Sequence, residues 1–318
     1  MGTHSTMKVL KLNNGQEIPI IGLGTYRSGK GEVSQAIKDA IDVGYRHFDC
    51  AFMYHNEEEV GIGLQAKIDD GTVKRKDVFV VTKLWNNYHE PTLVMPMLKQ
   101  QLKSLQLDYI DLYLMHWPFG FIEKADLLPT DEGPSVYSDV DYLNTWKAME
   151  ECVTTGLTRS IGISNFNSEQ IERLLNACIV KPVVNQIEVN PNINNKNLIE
   201  FCKTKDIVVT AYCPLGRLDL ADDPTIPKPT ILDKRVGVIS KKHGKSPAQI
   251  ILKYLIDLGI TIIPKTVNKS RMMENANLFD FKLDQEDTEY IDSLNKNERI
   301  CGFSAFKDHK YFPFNIEF

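Results

Sequence analysis

Ionisable side chains stand at the ends of three apolar runs of the sequence, and their types suit the transfer of a proton. They are Asp49 after Tyr45–Phe48, Lys83 after Val78–Thr82 and His116 after Tyr109–Met115, with Tyr54 five residues beyond Asp49. A charged residue at the end of a strand usually only meets water, so each residue alone indicates little. If the runs are neighbouring parallel strands, however, the groups meet at one edge, where they can hold or donate a proton.

The apolar runs are short, rich in Val, Ile and aromatic residues, and show little polar alternation, which is typical of strands buried on both faces of a parallel sheet. We predict strands at Ile21–Gly24, Arg46–Asp49, Val78–Lys83, Tyr109–His116, Arg159–Ser164, Val183–Ile187, Val208–Tyr212 and Thr261–Pro264. Between them, apolar residues recur at helical spacing. The predicted helices include Val33–Val43, Glu57–Ile68, Leu93–Leu105, Leu143–Thr155, Gln170–Ala177, Lys196–Lys203 and Pro247–Leu258.

Alternating strands and helices of this number predict an α/β fold, a (β/α)8 barrel, because parallel strands need helical crossovers and eight such units close on themselves. The alternative is an open doubly wound sheet, whose nucleotide-binding form carries G-x-G-x-x-G after the first strand. Gly22-Leu23-Gly24 begins that motif, but Arg27 stands where the third glycine belongs. Gly61–Ala66 fits a variant of it inside a helical run, and Gly244-Lys245-Ser246 lacks the first glycine of a P-loop. We therefore expect one barrel domain over residues 1–318.

Several segments lie outside the repeating units. Residues 8–20 predict a β-hairpin with a two-residue turn at Asn14-Gly15. Segments 118–141, 216–231 and 295–318 exceed the usual length of a connection. In a barrel, the long loops at the carboxyl ends of the strands build the active site. The last segment is rich in aromatic residues, so we expect a long C-terminal loop that packs down and walls a substrate pocket.

Composition excludes several classes of protein. The chain of 318 residues is 42% hydrophobic and 25% charged, with a net charge of −5, which is typical of a globular protein and disfavours nucleic-acid binding. No apolar stretch approaches the roughly 18 residues that span a bilayer. The 6 cysteines form no C-x-x-C, and the 7 histidines form no H-x-x-x-H pair. We expect no membrane, nucleic-acid or metal partner.

The first residues leave two interpretations open. Residues 1–6 match a myristoylation pattern, but no basic cluster follows to support a single acyl chain. Met7 could equally be the natural start, with residues 1–6 a tag or leader added for expression. No secretory signal segment is visible, so we expect a cytoplasmic, monomeric enzyme.

Three segments in order resemble the aldo-keto reductase family, and the resemblance covers nearly the whole chain. They are Gly44–Ala51 followed by Tyr54, Asn56-Glu57 and Val60-Gly61; Arg159–Phe166; and Ile263–Thr266 followed by Arg271, Glu274-Asn275 and Leu278. Within the family, the chain looks most like insect members, among them reductases of 3-dehydroecdysteroids. The family fold is a (β/α)8 barrel with an N-terminal hairpin cap, which agrees with the pattern of strands and helices.

The resemblance implies NADPH-dependent reduction of a carbonyl to an alcohol, with Asp49, Tyr54, Lys83 and His116 as the catalytic residues. Tyr54 would be the general acid that protonates the developing alkoxide, and Lys83 would lower the pKa of Tyr54. Asp49 would pair with Lys83 and keep it charged. His116 would hydrogen-bond to the carbonyl oxygen and orient the substrate.

The resemblance also implies a binding site for the nicotinamide cofactor. The matching positions are Thr25, Tyr26, Asp49, Ser164, Asn165, Gln186, Tyr212, Pro214, Leu215, Lys265, Thr266, Val267, Arg271, Glu274 and Asn275. Ser164, Asn165 and Gln186 match contacts to the carboxamide, and Tyr212 matches the ring that stacks on the nicotinamide.

The end of this set matches the adenosine side of the cofactor. Lys265, Thr266 and Arg271 match the site for the 2′-phosphate, with Glu274 and Asn275 near the adenine. Two cations beside a dianionic phosphate would favour NADPH over NADH.

The predicted substrate pocket is mostly aromatic. Its candidate residues are Tyr26, Tyr54, Trp85, His116, Trp117, Phe303 and Phe306. An apolar pocket with few polar anchors suits a bulky hydrophobic aldehyde or ketone, including a steroid or ecdysteroid, better than a free sugar. Tyr26, Cys213 and Glu298 depart from better-known members, where Trp, Ser and an aromatic residue are common. These departures leave the chemistry intact and the substrate open.

Two other functions are open on the sequence. A nucleotide-binding barrel could act as a regulatory or structural subunit, although a proton-donor set serves no purpose there. A barrel hydrolase could use paired carboxylates such as Asp49 and Glu188. That hydrolase would leave Lys265 and Arg271 unexplained.

Overall fold

A hairpin precedes eight parallel strands in the computed structural model, which describes residues 8–29, 31–129, 134–316 and 318. The hairpin strands are β1 (Val9–Lys11) and β2 (Glu17–Pro19). The parallel strands are β3 (Leu23–Gly24), β4 (His47–Asp49), β5 (Phe79–Leu84), β6 (Leu112–Met115), β7 (Ile161–Ser164), β8 (Val184–Glu188), β9 (Val208–Tyr212) and β10 (Thr261–Ile262). They pair in chain order, β3 to β10, and all eight predicted strands are confirmed with shifted ends.

The sheet curls until its first and last strands meet. The amide of Gly22 donates to the carbonyl of Ile262 at 2.8 Å, and the amide of Ile262 donates to the carbonyl of Ile20 at 2.8 Å. A further parallel bridge joins Gly24 to Lys265. The predicted (β/α)8 barrel is therefore confirmed, and an open doubly wound sheet is excluded.

Helices follow the strands and cover the outside of the barrel. They are α1 (Val33–Val43), α2 (Glu57–Asp69), α3 (Pro91–Leu105), α4 (Tyr142–Thr154), α5 (Ser168–Leu175), α6 (Lys196–Thr204), α7 (Lys234–His243), α8 (Pro247–Asp257), α9 (Lys269–Ala276) and α10 (Gln285–Ser293). Each predicted helix is confirmed within a few residues. Helix α1 ends where Gly44 adopts a φ of 115°, a left-handed conformation that suits glycine.

The hairpin closes the amino-terminal end of the barrel. Leu12 and Ile18 are buried against side chains of β5, β6 and β8, so the hairpin acts as the expected cap. Its loop has three residues instead of the predicted two. The amide of Leu12 donates to the carbonyl of Gln16 at 2.8 Å, and residues 13–15 lie between them. Gly15 has a φ of 85° at the end of that loop, where a three-residue hairpin needs a left-handed residue.

The three long segments lie at or near the carboxyl-terminal end of the barrel, opposite the hairpin. Residues 130–133 of the first segment are outside the described part. The C-terminal segment packs down as expected: Asn167 donates to the carbonyl of Pro313 at 2.9 Å, and Gln170 donates to the carbonyl of Tyr311 at 2.9 Å. The proposed leader, residues 1–6, also lies outside the described residues. No helix in the described part is long and apolar enough to cross a membrane.

Candidate active site

The four predicted catalytic residues come together at the carboxyl rim of the barrel. Asp49 is the last residue of β4, Lys83 lies near the end of β5, and His116 directly follows β6. Tyr54 ends a short 3-10 turn, Phe52–Tyr54, that begins shortly after β4. Because parallel neighbouring strands end on the same side, the sequence places all four groups over one opening.

The ammonium of Lys83 is the centre of the site. Its Nζ lies 2.7 Å from Oδ2 of Asp49, 2.8 Å from the carbonyl oxygen of Cys50 and 3.2 Å from the hydroxyl oxygen of Tyr54. Lys83 is fully buried and Asp49 nearly so. An ammonium has three N–H donors and no acceptor, so these contacts use all of them. The buried charge is therefore paired, hydrogen-bonded and fixed in direction.

The hydrogen bond from Lys83 leaves the hydroxyl hydrogen of Tyr54 free to point toward a substrate. The net shift of the Tyr54 pKa is opposite to the one predicted, although the ammonium of Lys83 beside the hydroxyl still favours the phenolate. Burial, followed by the charge of Asp49, raises the pKa of Tyr54 well above its usual range. The phenol thus keeps its proton at neutral pH, and Lys83 is placed to stabilise the phenolate after that proton has left.

His116 faces Tyr54 across the opening, with 6.1 Å between the ring centroids. Burial, with the nearby charge of Lys83, lowers the pKa of His116 well below its usual range. The imidazole is therefore neutral at pH 7 and carries one N–H that can donate a hydrogen bond. Its Nδ1 is buried and has no hydrogen-bond partner among the described residues. His116 can polarise an oxygen in the opening but holds no extra proton to release.

Predicted cofactor residues from β7, β8 and β9 form one hydrogen-bonded network beside the catalytic groups. Gln186 donates to Oδ1 of Asp49 at 2.7 Å, and Ser164 donates to the carbonyl of Gln186 at 2.8 Å. The amide of Asn165 donates to the carbonyl of His116 at 3.0 Å and its oxygen accepts from Tyr212 at 2.7 Å. The network fixes the Tyr212 ring at the rim.

The remaining predicted cofactor positions follow the strand ends around the same rim. Thr25 and Tyr26 follow β3, Pro214 and Leu215 follow β9, Lys265, Thr266 and Val267 follow β10, and Arg271, Glu274 and Asn275 lie on α9. The hydroxyl of Thr25 donates to the carbonyl of Asp49 at 2.9 Å. The structure thus groups these positions, and their contacts to a cofactor stay predictions.

Two exposed cations lie at the start of α9, since Arg271 is in its first turn and Lys265 is four residues before the helix. Lys265 and Arg271 are exposed, and neither has an acidic partner in the part of the chain that the structure describes. By contrast, Lys269 lies 3.1 Å from Asp39. Unpaired cations next to a helix amino terminus fit an anionic group such as a phosphate.

Aromatic side chains wall the opening. Ring centroids lie 4.9 Å apart for Trp85 and His116, and 4.9 Å apart for Trp117 and Phe303. Tyr26 is 45% exposed and its ring lies 5.0 Å from that of Tyr54. Phe306 is buried 4.6 Å from Phe303, so it supports the wall from behind.

Glu57 is a buried carboxyl behind the site, and its sequence alone gave it no role. Its Oε1 accepts from the hydroxyl of Thr82 at 2.5 Å and from the amide of Gln101 at 3.0 Å. Gln101 also donates to the carbonyl of Lys83 at 3.2 Å. The only sequence signal was the Asn56-Glu57 pair, because nothing in the pattern shows that Gln101 on α3 turns toward it.

Stability should depend on the ionisation of Glu57. Burial raises the pKa of Glu57 to about 7 from its ordinary value of 4.5. Between these values the unfolded chain releases the proton while the folded chain keeps it, so stability falls as pH rises through this window. The variant Glu57→Gln keeps a hydrogen-bond acceptor but cannot ionise. We expect its free energy of unfolding, relative to that of wild type, to rise by about 3 kcal/mol as the pH is raised from 4 to 8.

Urea unfolding of both proteins at the two pH values measures this change. Glu58→Gln, at an exposed position of the same helix, is the control and should behave as wild type. The same pH dependence for Glu57→Gln and wild type would contradict the raised pKa.

Glu188 does not serve as a catalytic carboxylate beside Asp49. Its oxygens accept from the amides of Ile300 at 2.9 Å and Cys301 at 2.8 Å and from the side chain of Asn190 at 3.2 Å. Glu188 therefore holds the C-terminal segment in place. Because its oxygens are occupied by these hydrogen bonds, the structure does not support a hydrolase that pairs Glu188 with Asp49. Within the described ranges, no group of three or more His, Cys, Asp or Glu is placed to hold a metal ion.

Comparisons with known proteins agree with this geometry. The model of the Aldo/keto reductase family matches residues 20–296. Mouse estradiol 17 beta-dehydrogenase 5 is 44% identical over 321 residues, 99% of each chain, and bovine prostaglandin F synthase 1 is 44% identical over 97% of this chain and 98% of its own.

Solved structures give the same result. The aldose reductase from Schistosoma japonicum superposes with a TM-score of 0.90 at 40% identity, over 98% of this chain and 100% of its own. A Bombyx mori aldo-keto reductase in complex with NADP has a TM-score of 0.89 at 41% identity, over 97% and 99%. Sequence, fold and rim geometry thus converge, and the chain belongs to the aldo/keto reductase family.

Proposed function

We propose that the protein reduces a bulky hydrophobic aldehyde or ketone to an alcohol with NADPH, and that Tyr54 is the general acid. One observation carries the proposal: Lys83 donates to Asp49, Cys50 and Tyr54, and this leaves the Tyr54 hydroxyl hydrogen free at the opening. A regulatory or structural subunit that only binds a nucleotide would not need this arrangement.

The residues at the rim fit the cofactor. NADPH supplies the hydride when it is bound. Tyr212, held by Asn165, offers a flat ring for stacking beside the catalytic groups. Lys265 and Arg271, which have no acidic partner among the described residues, offer positive charge for the 2′-phosphate. The family and the NADP complex of the Bombyx mori protein support this assignment.

The side chains of the site stabilise and then neutralise the negative charge that develops on the substrate oxygen. As the carbonyl oxygen gains negative charge, Tyr54 donates its proton, and the N–H of Lys83 stabilises the phenolate that remains. Asp49 keeps Lys83 charged and aimed. The neutral ring of His116 donates a second hydrogen bond to the same oxygen. Each role follows from which atoms are protonated at neutral pH.

Aromatic walls and the names of relatives support a bulky apolar substrate. Trp85, Trp117 and Phe303 line one side of the opening, and similar proteins are named for estradiol and for prostaglandin. A steroid or ecdysteroid ketone stays the preferred class, and a cytoplasmic monomer stays the expectation. A screen that follows loss of NADPH absorbance with steroid ketones, aldehydes and sugars tests the function. NADPH binding without turnover of any carbonyl would contradict it.

Preference for NADPH over NADH should depend on the two free cations. We expect Lys265→Ala or Arg271→Ala to weaken NADPH binding roughly 10–100-fold, the equivalent of about 1.5–3 kcal/mol for a charged hydrogen bond. Binding of NADH, which has no 2′-phosphate, should change little. Fluorescence titration with both cofactors measures the difference.

A neighbouring cation provides the control for that experiment. Lys269 lies on the same turn of α9 but is paired with Asp39. Lys269→Ala should therefore leave the binding of both cofactors close to wild type. Equal weakening of NADPH and NADH by Lys265→Ala and Arg271→Ala would remove the 2′-phosphate assignment.

A further inference from the structure

A buried glutamine holds the main chain of the residue that carries the central ammonium of the site. Gln101 on α3 is fully buried, and its Nε2 donates to the carbonyl oxygen of Lys83 at 3.2 Å. The same Nε2 lies 2.8 Å from the hydroxyl oxygen of Thr82 and 3.0 Å from Oε1 of Glu57. Because α3 covers the outside of the barrel, Gln101 can affect the reaction only through the residues that it holds.

The orientation of the Gln101 amide is fixed from both ends. Its Oε1 accepts from the hydroxyl of Tyr113, a fully buried residue of β6, at 3.0 Å. Its Nε2 faces acceptors, since the hydroxyl hydrogen of Thr82 is itself donated to Glu57. Exchanging the two ends of the amide would place an oxygen against the carbonyl of Lys83. Only one orientation therefore satisfies these buried groups.

The carbonyl of Lys83 lies where β5 runs beyond its neighbour β4. The two strands pair over Phe79–Val81, whereas β5 continues to Leu84. Alternate carbonyls of a strand point to the same side, and that of Val81 accepts from the amide of Cys50 at 2.9 Å. The carbonyl of Lys83, two residues further on, therefore points past the end of β4. Gln101 supplies the hydrogen-bond donor that a longer β4 would have provided.

We propose that Gln101 is a positioning residue for the reduction, and that it keeps the peptide of Lys83 where the ammonium lies against Tyr54. This role rests on the proposed function, since Tyr54 must be the general acid for the placement to matter. The ammonium is held more closely by Asp49 and Cys50, at 2.7 and 2.8 Å, than by Tyr54, at 3.2 Å. A shift of the Lys83 peptide is therefore expected to lengthen the contact with Tyr54. A displacement of about 1 Å at a catalytic group can cost roughly 10²-fold in rate.

Gln101→Met tests this role, because methionine fills a similar volume but donates nothing to the carbonyl of Lys83. The rate is counted per NADPH-binding site, measured by fluorescence titration, so that a loss of folded protein does not lower it. We expect kcat to fall roughly 10–100-fold and KM for the carbonyl to stay within about two-fold, since the walls of the opening are unchanged. Heavy water should slow the variant more than wild type, because proton transfer from Tyr54 then limits turnover more strongly.

Two other variants are the controls. Tyr113→Phe removes a different hydrogen bond of the same buried amide and leaves the donor to Lys83 in place, so kcat per site and the solvent isotope effect should stay near wild type. Gln100→Met, at the exposed neighbouring position of α3, should behave as wild type. If Gln101→Met does not fold, the same change is made in Glu57→Gln, where no carboxyl loses a donor, and is compared with Glu57→Gln alone.

The kinetics of wild type and Gln101→Met separate this role from the proposed function. Carbonyl reduction by wild type with the same kcat per site in Gln101→Met would overturn the positioning role alone. A fall in kcat that Tyr113→Phe reproduces, with no change in the solvent isotope effect, would do the same, since it would reflect the stability of the buried network. No turnover of any carbonyl by wild type would overturn the proposed function, and the role of Gln101 with it.

Discussion

Tyr54→Phe is expected to lower kcat for carbonyl reduction roughly 10²–10⁴-fold, the usual contribution of a positioned general acid. The change removes one oxygen and keeps the ring, whose contacts with Tyr26 and His116 remain available. Lys83 keeps two of its three acceptors, Asp49 and the carbonyl of Cys50. Loss of turnover would therefore report the missing proton rather than a collapsed site. Steady-state kinetics gives kcat, and fluorescence titration should show NADPH binding nearly unchanged.

Tyr26→Phe is the matched control for that variant. It also removes one hydroxyl from a tyrosine at the same opening, but Tyr26 makes no hydrogen bond to Lys83 in the structure. We expect its kcat to stay within a few-fold of wild type. Turnover by Tyr54→Phe at the level of Tyr26→Phe would show that another group protonates the alkoxide. His116 is a poor candidate for that group, since burial keeps it neutral.

The barrel could be predicted from sequence because its strands are buried on both faces and stand out as short apolar runs. Three helices, α7, α9 and α10, were not identified, and for α9 and α10 the reason is their composition. Helix α9 buries only Met272 and Asn275, and α10 only Asp287 and Ile291, so neither shows a clear apolar stripe. The hairpin loop was misjudged by one residue, since Asn14-Gly15 fits both a two-residue and a three-residue loop.

The residues of the site could be predicted, but their electrostatics could not. Strand ends and family motifs located Asp49, Lys83 and His116. The direction of the pKa shift of Tyr54 depends on burial, which comes from loops far apart in sequence. The role of Glu188 likewise depends on a segment more than a hundred residues away, whose amides it accepts. The sequence pattern shows which groups lie at the same rim of the barrel. Their protonation states depend on distances and burial, which only the folded structure gives.

Lys83→Met is the second variant for which we expect a large effect, because it removes one half of a buried ion pair. Lys83 and Asp49 are 0% and 2% exposed. Without the ammonium, the carboxylate of Asp49 keeps, among the described residues, only the hydrogen bond from Gln186 at 2.7 Å. Removing one partner of such a pair typically costs about 3–5 kcal/mol, since it leaves a charge in a dry interior. Urea unfolding should show that loss, and turnover should vanish with it.

A second substitution separates the loss of stability from the loss of catalysis. In Asp49→Asn with Lys83→Met, no charge is stranded, and the Asn oxygen can still accept from Gln186. We expect most of the lost unfolding free energy to return, because replacing both members of a buried pair is often neutral. Turnover should stay absent, since nothing then stabilises the Tyr54 phenolate. Recovery of activity together with stability would mean that Lys83 only supports the fold. A stable Lys83→Met single variant would show that Asp49 is not held as a buried anion.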